Sequence, residues 1–539
     1  MGKEINMYDL IIKNGFVLDG TGEKGFQADV AVRDGKIARI APNIDEDASR
    51  VIDAAGLTVT PGFIDCHSHS DSVVLLGTDG YNFLEQGITT QLTGHCGSGP
   101  VPAYPNLFEG VRQTHGEEKA QEMYRLCDNF ASYMKAVEQC ELGTNLAFYA
   151  SQGNIRGRVM GFKMGEPNDE ELEQMKDLMA QAMEEGFLGF STGLVYAPSI
   201  YAGTRELVEL AKVAHAYGGN YTSHIRGEGL HVLDAMKEAI YIGEQSGIPV
   251  VISHLKVKGH QYEGASVEML KLIEDSVAKG ITVWADQYPY TASAAPLISQ
   301  IPPQFAEGGN DKLVERMKDP ALRAEMERAV FEDYETFESN IYGAGYDGIL
   351  IGSAHMTPQY VGKYIGEIAR EEGKKPFDVV CDILIANNGV VSAIYFSQND
   401  SDMLRIIKHP RVMAGCDASE HAHKDREQVG GGHPRGSSTM VRRIELIRDN
   451  HLLEPEAVIR NLTGLAADVA HLEGVGYLKE GMAADICVID YDHVKANSDY
   501  IHPFRKNEGI EYVLVNGKIA VEHGEATGVR NGRVLKRAK

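Results

Sequence analysis

Apolar and polar positions along the 539-residue chain follow two patterns. From residue 8 to 60, short apolar runs alternate with Gly and Asn/Asp turns, as in Leu10-Ile11-Ile12, Gly15-Phe16-Val17-Leu18, Asp29-Val30-Ala31-Val32 and Lys36-Ile37-Ala38-Arg39-Ile40, which is the signature of short strands. The same style returns in Asp485-Ile486-Cys487-Val488-Ile489 and Tyr512-Val513-Leu514-Val515-Asn516-Gly517. The two chain ends are therefore predicted to pair into one small β domain.

Between them a strand, a helix and a strand recur roughly every 30 residues, as in repeated βα pairs on a parallel sheet. Asn168 or Asp169 is placed to cap a helix with Leu172, Met175, Leu178, Met179 and Met183 on its apolar face, ended by Gly186 before Phe187-Leu188-Gly189-Phe190-Ser191. Thr204 is the expected cap of the next helix, which turns Leu207, Leu210, Ala211 and Ala214 inward and stops at Gly218 before Tyr221-Thr222-Ser223-His224. Helices from Leu230 to Ser246 and from Ser266 to Gly280 precede Val250 to His254 and Ile281 to Asp286, respectively for the first and second of these strands. Adding Ile64 to His67, Ile88 to Leu92, Ala147 to Ser151 and Val412 to Asp417 gives eight candidate parallel strands. The predicted fold is α/β, a TIM-like (β/α)8 barrel over residues 61–470, with a small β-sandwich domain built from 1–60 and 471–539. Residues 291–346, rich in Pro, Gly and charge, break the repeat and are expected to be an inserted lid above the mouth.

Composition narrows the function classes. A net charge of -25 repels nucleic acid and anionic membranes at long range, so neither is an expected partner. Met1 to Asn6 has no apolar signal region, and no stretch approaches ~18 uninterrupted apolar residues. Seven scattered cysteines suggest free or metal-bound thiols, and the expected compartment is the cytoplasm.

The candidate chemistry sits where the strands end. In Pro61-Gly62-Phe63-Ile64-Asp65-Cys66-His67-Ser68-His69 an apolar run breaks into two histidines, and residues i and i+2 of an extended chain point the same way. Neutral imidazole is a common ligand of borderline divalent metals such as zinc. His224 and His254 both follow an apolar strand as Ser-His, one repeat apart, and Cys96 lies in a glycine-rich loop where a thiolate suits zinc and is able to bridge two metals. Asp417 ends the eighth strand and points into the same mouth, in position to act as a general base. His95, His215, His260, His355 and His451 are read as ordinary core or surface histidines.

These residues resemble the metal-dependent amidohydrolase superfamily and, within it, the D-aminoacylase (N-acyl-D-amino-acid deacylase) family. The match runs from Ile12-Lys13-Asn14-Gly15 to Val513-Leu514-Val515-Asn516-Gly517-Lys518, through Gly94-His95-Cys96-Gly97, Ser191-Thr192-Gly193-Leu194-Val195-Tyr196, Ser253-His254-Leu255-Lys256, Asp286-Gln287-Tyr288-Pro289-Tyr290-Thr291-Ala292 and His433-Pro434-Arg435. The resemblance implies a tight zinc on Cys96, His224 and His254, and a weaker second position on His67, His69, the shared Cys96 and Asp417. It implies that Asp417 takes the proton of the attacking water and returns it to the departing amine. The small-molecule substrate would be an N-acyl-D-amino acid, its carboxylate held by Arg435 and Lys256 with Tyr196, Tyr288 and Ser293 lining the site. Other readings are hydrolysis of a cyclic imide, a dipeptide or an N-acylated amine, or a catalytically inactive binding module. Gln152 stands where relatives often carry histidine, and Ser437-Ser438-Thr439-Met440 replaces the usual Gly-Thr-Phe-Pro, both expected to bear on the preferred side chain.

Overall fold

The computed structural model describes residues 7–426 and 432–538, which leaves Met1 to Asn6, 427–431 and Lys539 outside it. The chain is α/β with mixed sheets. The eight central strands are β1 (Phe63–Ser68), β2 (Ile88–Thr93), β3 (Asn145–Phe148, continued beyond Tyr149 by Ala150–Ser151), β4 (Gly189–Gly193), β5 (Asn220–His224), β6 (Val250–Ile252), β7 (Val283–Gln287) and β8 (Val412–Ala414). They pair in parallel in sequence order, β1 to β2 to β3, and from Ala150–Ser151 onward through β4 to β8. β1 and the chain just past β8 meet at a Ser68–Ala418 bridge, where the Asp417 N–H donates to His67 O at 2.7 Å and the His69 N–H donates to Ala418 O at 2.8 Å. Every residue of β1, β2 and β5 is buried, which is why these strands read as unbroken runs instead of alternating ones.

Helices between the strands bury the faces expected of them. Asp169–Glu184 is capped by Asn168, whose side chain accepts the Glu171 N–H while Glu171 accepts the Asn168 N–H. Leu172, Met175, Met179 and Met183 are buried beneath it. Thr204 is not a cap: Gly203 holds that position, and the Thr204 hydroxyl donates to Glu238 at 2.9 Å. The third helix begins at Val232, and Gly247 closes it in a left-handed conformation.

Both chain ends enter one nine-stranded sheet, joined where Thr58–Pro61 pairs antiparallel with Ile486–Ile489. Pro61-Gly62 is thus the step from this sheet into β1. The last residues depart from the expected division. Gly532 and Leu535 donate backbone bonds to Leu142 O and Leu146 O, and Arg537 donates to Gly186 O, so the tail leaves the end sheet and packs at the entrances of β3 and β4.

The insertion also differs from expectation, because it does not close at residue 346. Ala292–Pro296 pairs with Ser392–Phe396, which pairs in turn with Ile349–Ser353, so the unit between β7 and β8 is one antiparallel sheet with its own helices and core. Pairing across about a hundred residues leaves no local mark. Among the described residues no helix is long and apolar enough to cross a membrane.

Candidate metal centre

The strand ends bring the predicted donors together in two groups, His67, His69, Cys96 and Asp417 in one, and Cys96, His224 and His254 in the other, with the donor atoms of each group within 4.8 Å of one another. The Cys96 sulfur is common to both, 3.3 Å from His67 Nε2 and 3.4 Å from His254 Nε2. His254 Nε2 lies 2.9 Å from His224 Nδ1, and His69 Nε2 lies 3.0 Å from Asp417 Oδ1. Cys96, His254 and Asp417 each take a left-handed backbone (φ 54°, 37° and 51°) just where the chain leaves its strand. That conformation is costly for residues with a Cβ and is kept only where surrounding contacts impose it.

Those contacts are visible. Ser191 Oγ donates to Gly94 O at 2.5 Å and accepts the Gly97 N–H at 3.0 Å, which pins the Cys96 loop to β4. A Cβ on Gly97 would lie 2.4 Å from Gly193 N, so the loop tolerates only glycine there. At the eighth strand a Cβ on Gly415 would lie 2.6 Å from His67 Cβ, and glycine makes room for that imidazole.

Three buried residues at the site received no role from the sequence. His95, read as ordinary, is stacked on His67 with ring centroids 4.1 Å apart, and neither of its ring nitrogens has a hydrogen-bond partner. Asp286 accepts from His67 Nδ1 at 3.1 Å and from the His254 N–H at 2.9 Å, and burial lifts its carboxyl to about 7. Glu228 faces His254 Nδ1 at 3.1 Å and His224 Nε2 at 3.5 Å, and pairs with Lys256 and Lys258. Burial alone would raise the Glu228 carboxyl, but Lys256 and then His224 and Lys258 carry it well below the ordinary range. Burial holds His67 and His254 low and takes His224 down to about 3, so these three imidazoles stay neutral, as ligands must. The one signal available was general: a ligating imidazole needs an acceptor on its second nitrogen.

The predicted substrate residues fall around the same centre with partners of their own. Arg435 Nη1 lies 2.7 Å from Asp417 Oδ2, and its guanidinium sits 4.8 Å over the Tyr288 ring. Burial would raise Asp417, but Arg435 above all, then His254, hold it well below the usual carboxylate range. Lys256 is committed to Glu228 and to His254, whose Nδ1 is 2.7 Å from its Nζ, so it is less available to a substrate than expected. Tyr196 sets its ring edge-on to His224 at 5.0 Å, and Ser293 Oγ is buried without a partner. Tyr196, His224, His254, Lys256, Tyr288, Ser293 and Asp417 line a narrow cavity of about 30 Å³. His69, Cys96, Tyr196, Asp417 and Arg435 stand in the wall of a wider one of about 620 Å³, otherwise lined by uncharged residues that include Ile298, Ile301, Leu313 and Phe337 of the insertion. Gln152 and Ser437 to Met440 line neither cavity. Gln152 instead donates to the buried Glu206 at 2.6 Å, and Ser438 donates to Asn507 at 2.7 Å, so neither departure bears directly on the side-chain preference expected of them.

A family model described as Amidohydrolase family matches residues 50–521. The chain is similar to a D-aminoacylase of Alcaligenes xylosoxydans xylosoxydans, 32% identical over 533 residues that cover 98% of each chain. A crystal structure of D-aminoacylase superposes with a TM-score of 0.82 at 30% identity, covering 98% of this chain and 100% of that one. An N-acyl-D-glutamate deacylase from Bordetella bronchiseptica, complexed with zinc and a phosphonate mimic of the reaction's tetrahedral intermediate, superposes at 0.81 with 28% identity, covering 98% of this chain and 100% of that one.

Proposed function

Because the chain belongs to the amidohydrolase family, we propose that it is a zinc-dependent hydrolase that cleaves N-acyl-D-amino acids to a carboxylate and a free D-amino acid. The observation that carries this reading is the sulfur of Cys96 standing between two donor groups at the exits of the parallel strands. One thiol with neutral imidazoles is a donor set suited to zinc, and His67, His69 and Asp417 complete a second, weaker position around the same sulfur. Bound there, zinc supplies Lewis-acid polarisation of the scissile carbonyl and acidifies water towards a pKa of ~7.

The protein's own groups do the rest. Asp417, ionised beside Arg435, takes the proton of the attacking water on a carboxylate oxygen and returns it to the departing amine nitrogen. Arg435 binds the substrate carboxylate with the guanidinium donors that Asp417 leaves free, and Tyr196, Tyr288 and the unpartnered Ser293 hydroxyl orient the amino-acid end. Lys256 contributes positive field behind them. The pairing of the eight strands supports a closed (β/α)8 barrel, with a small β-sandwich domain from the two chain ends and the insertion as a wall and lid over the mouth. Seven free thiols fit a cytoplasmic setting.

Hydrolysis of matched N-acetyl-D- and N-acetyl-L-amino acids tests the reading. The D-leucine and D-methionine derivatives should exceed their L forms in kcat/KM by about 100-fold or more, because a carboxylate fixed on Arg435 leaves one enantiomer's carbonyl misplaced by an ångström or more. Equal rates would remove the stereochemical claim. In the same screen the neutral D-leucine derivative should exceed the D-glutamate and D-aspartate derivatives by about tenfold or more. Charge in the wide cavity is confined to His69, Asp417 and Arg435, and a second carboxylate buried there lacks a partner. Faster turnover of the acidic derivatives would show that another cation reaches the side chain.

A further inference from the structure

Glu228 takes no part in the steps above, yet its carboxylate is 3% exposed and surrounded by protonatable groups. It contacts Lys256, lies 3.2 Å from Lys258 Nζ, and faces His254 Nδ1 at 3.1 Å and His224 Nε2 at 3.5 Å. These are the two rings' outer nitrogens. The inner ones, His254 Nε2 and His224 Nδ1, are 2.9 Å apart on the side of Cys96. An imidazole that offers one nitrogen to a metal carries its proton on the other.

The proton of His254 is contested. Lys256 Nζ, 2.7 Å from His254 Nδ1, only donates, so that contact demands a bare Nδ1 and sends the ring proton to Nε2, where it blocks a metal. An ionised Glu228 only accepts, so its contact demands a proton on Nδ1 and leaves Nε2 bare. We propose that Glu228 is the positioning residue that decides this contest when a metal binds: it engages the Lys256 ammonium and is the acceptor standing 3.1 Å from His254 Nδ1 and 3.5 Å from His224 Nε2, a nitrogen with no hydrogen-bond partner of its own, so that protons placed on these outer nitrogens leave both inner ones bare beside Cys96. The inference rests on the reading of Cys96, His224 and His254 as a zinc set. The other set has a separate carboxylate, Asp286 against His67 Nδ1, so Glu228 serves one position of the pair. It also gives that position a reason to bind more tightly, since one buried carboxylate orders two of its three donors, whereas the His69 side chain of the other set is 27% exposed.

Zinc affinity of the full chain, measured by chelator competition, tests this, with the thiolate-to-cobalt absorption of the cobalt-substituted protein as a report on Cys96 ligation. Glu228→Gln should lower affinity 10- to 100-fold, because the amide keeps the volume but no longer outbids the ammonium at His254. Lys256→Met should bind zinc at least as tightly as the parent, since the competing donor is gone. The double variant should regain most of what Glu228→Gln loses, a recovery that a purely structural role for Glu228 does not give. Parent affinity in Glu228→Gln, or a double variant no better than it, overturns the proposal. If Glu228→Gln does not fold, Lys256→Met still decides: a tenfold fall in zinc affinity there means that Lys256 does not compete, and the proposal is wrong. A parent chain that binds no zinc would instead sink the metal reading itself.

Discussion

Asp417→Asn should lower kcat by about 10²- to 10⁴-fold, the usual contribution of a positioned acid-base group, while KM stays level or falls. The KM arm follows from Arg435. In the parent its Nη1 is 2.7 Å from Asp417 Oδ2, so a substrate carboxylate shares the guanidinium with a competing anion. The asparagine removes that competitor and the base together. It also leaves a buried arginine unpaired, and the folded state should lose up to about 3 kcal/mol until substrate or an anion restores the charge balance. Zinc should stay, because Cys96, His224 and His254 are untouched and form a group without Asp417. Steady-state kinetics with metal analysis checks all of this. Near-parent kcat would transfer the proton role to another residue, and His69, 3.0 Å from Asp417, would be the first to examine.

Cys96→Ala should be the most damaging change to metal content. Its sulfur is the one donor common to both groups, so the substitution leaves two histidines in one and removes a donor from the other. Zinc should be lost on dialysis and activity with it. The metal-free fold should change by only about 1 kcal/mol, since the loop is held by Ser191 through Gly94 O and the Gly97 N–H and not by the thiol. His69→Ala is the contrasting variant: it touches one group only, and the chain should keep a tightly bound ion. Elemental analysis of the dialysed proteins separates the two. Unchanged zinc in Cys96→Ala would end its candidacy as a ligand.

The donors were legible because each sits at a boundary the chain writes locally. His67, His254 and Asp417 follow apolar runs long enough for a strand and stand where the run stops. Residues that act through those donors were not legible. Asp286 lies within a recognisable motif, yet nothing in Trp284-Ala285-Asp286-Gln287 tells that its carboxylate reaches His67, 219 positions away. Glu228 stands between two glycines four residues beyond His224, a context that reads as a polar turn on the surface. His95 is adjacent to Cys96, and both approach His67, the His95 ring stacked on it at 4.1 Å and the Cys96 sulfur 3.3 Å from its Nε2, a convergence that the order of residues in the loop does not reveal.

By itself the amino-acid sequence determined the eight central strands and several strands of the end sheet, four of the helices between them, and which side chains stand at the strand exits. Those properties follow from hydrophobic period, turn residues and caps, all set within a few positions of one another. Only the tertiary structure decided where the insertion closes, where the C-terminal tail docks, and which carboxylate accepts from which imidazole. Those outcomes depend on groups far apart in the chain approaching within about 3 Å, and hydrogen bonding falls off so steeply with distance that no local pattern encodes it.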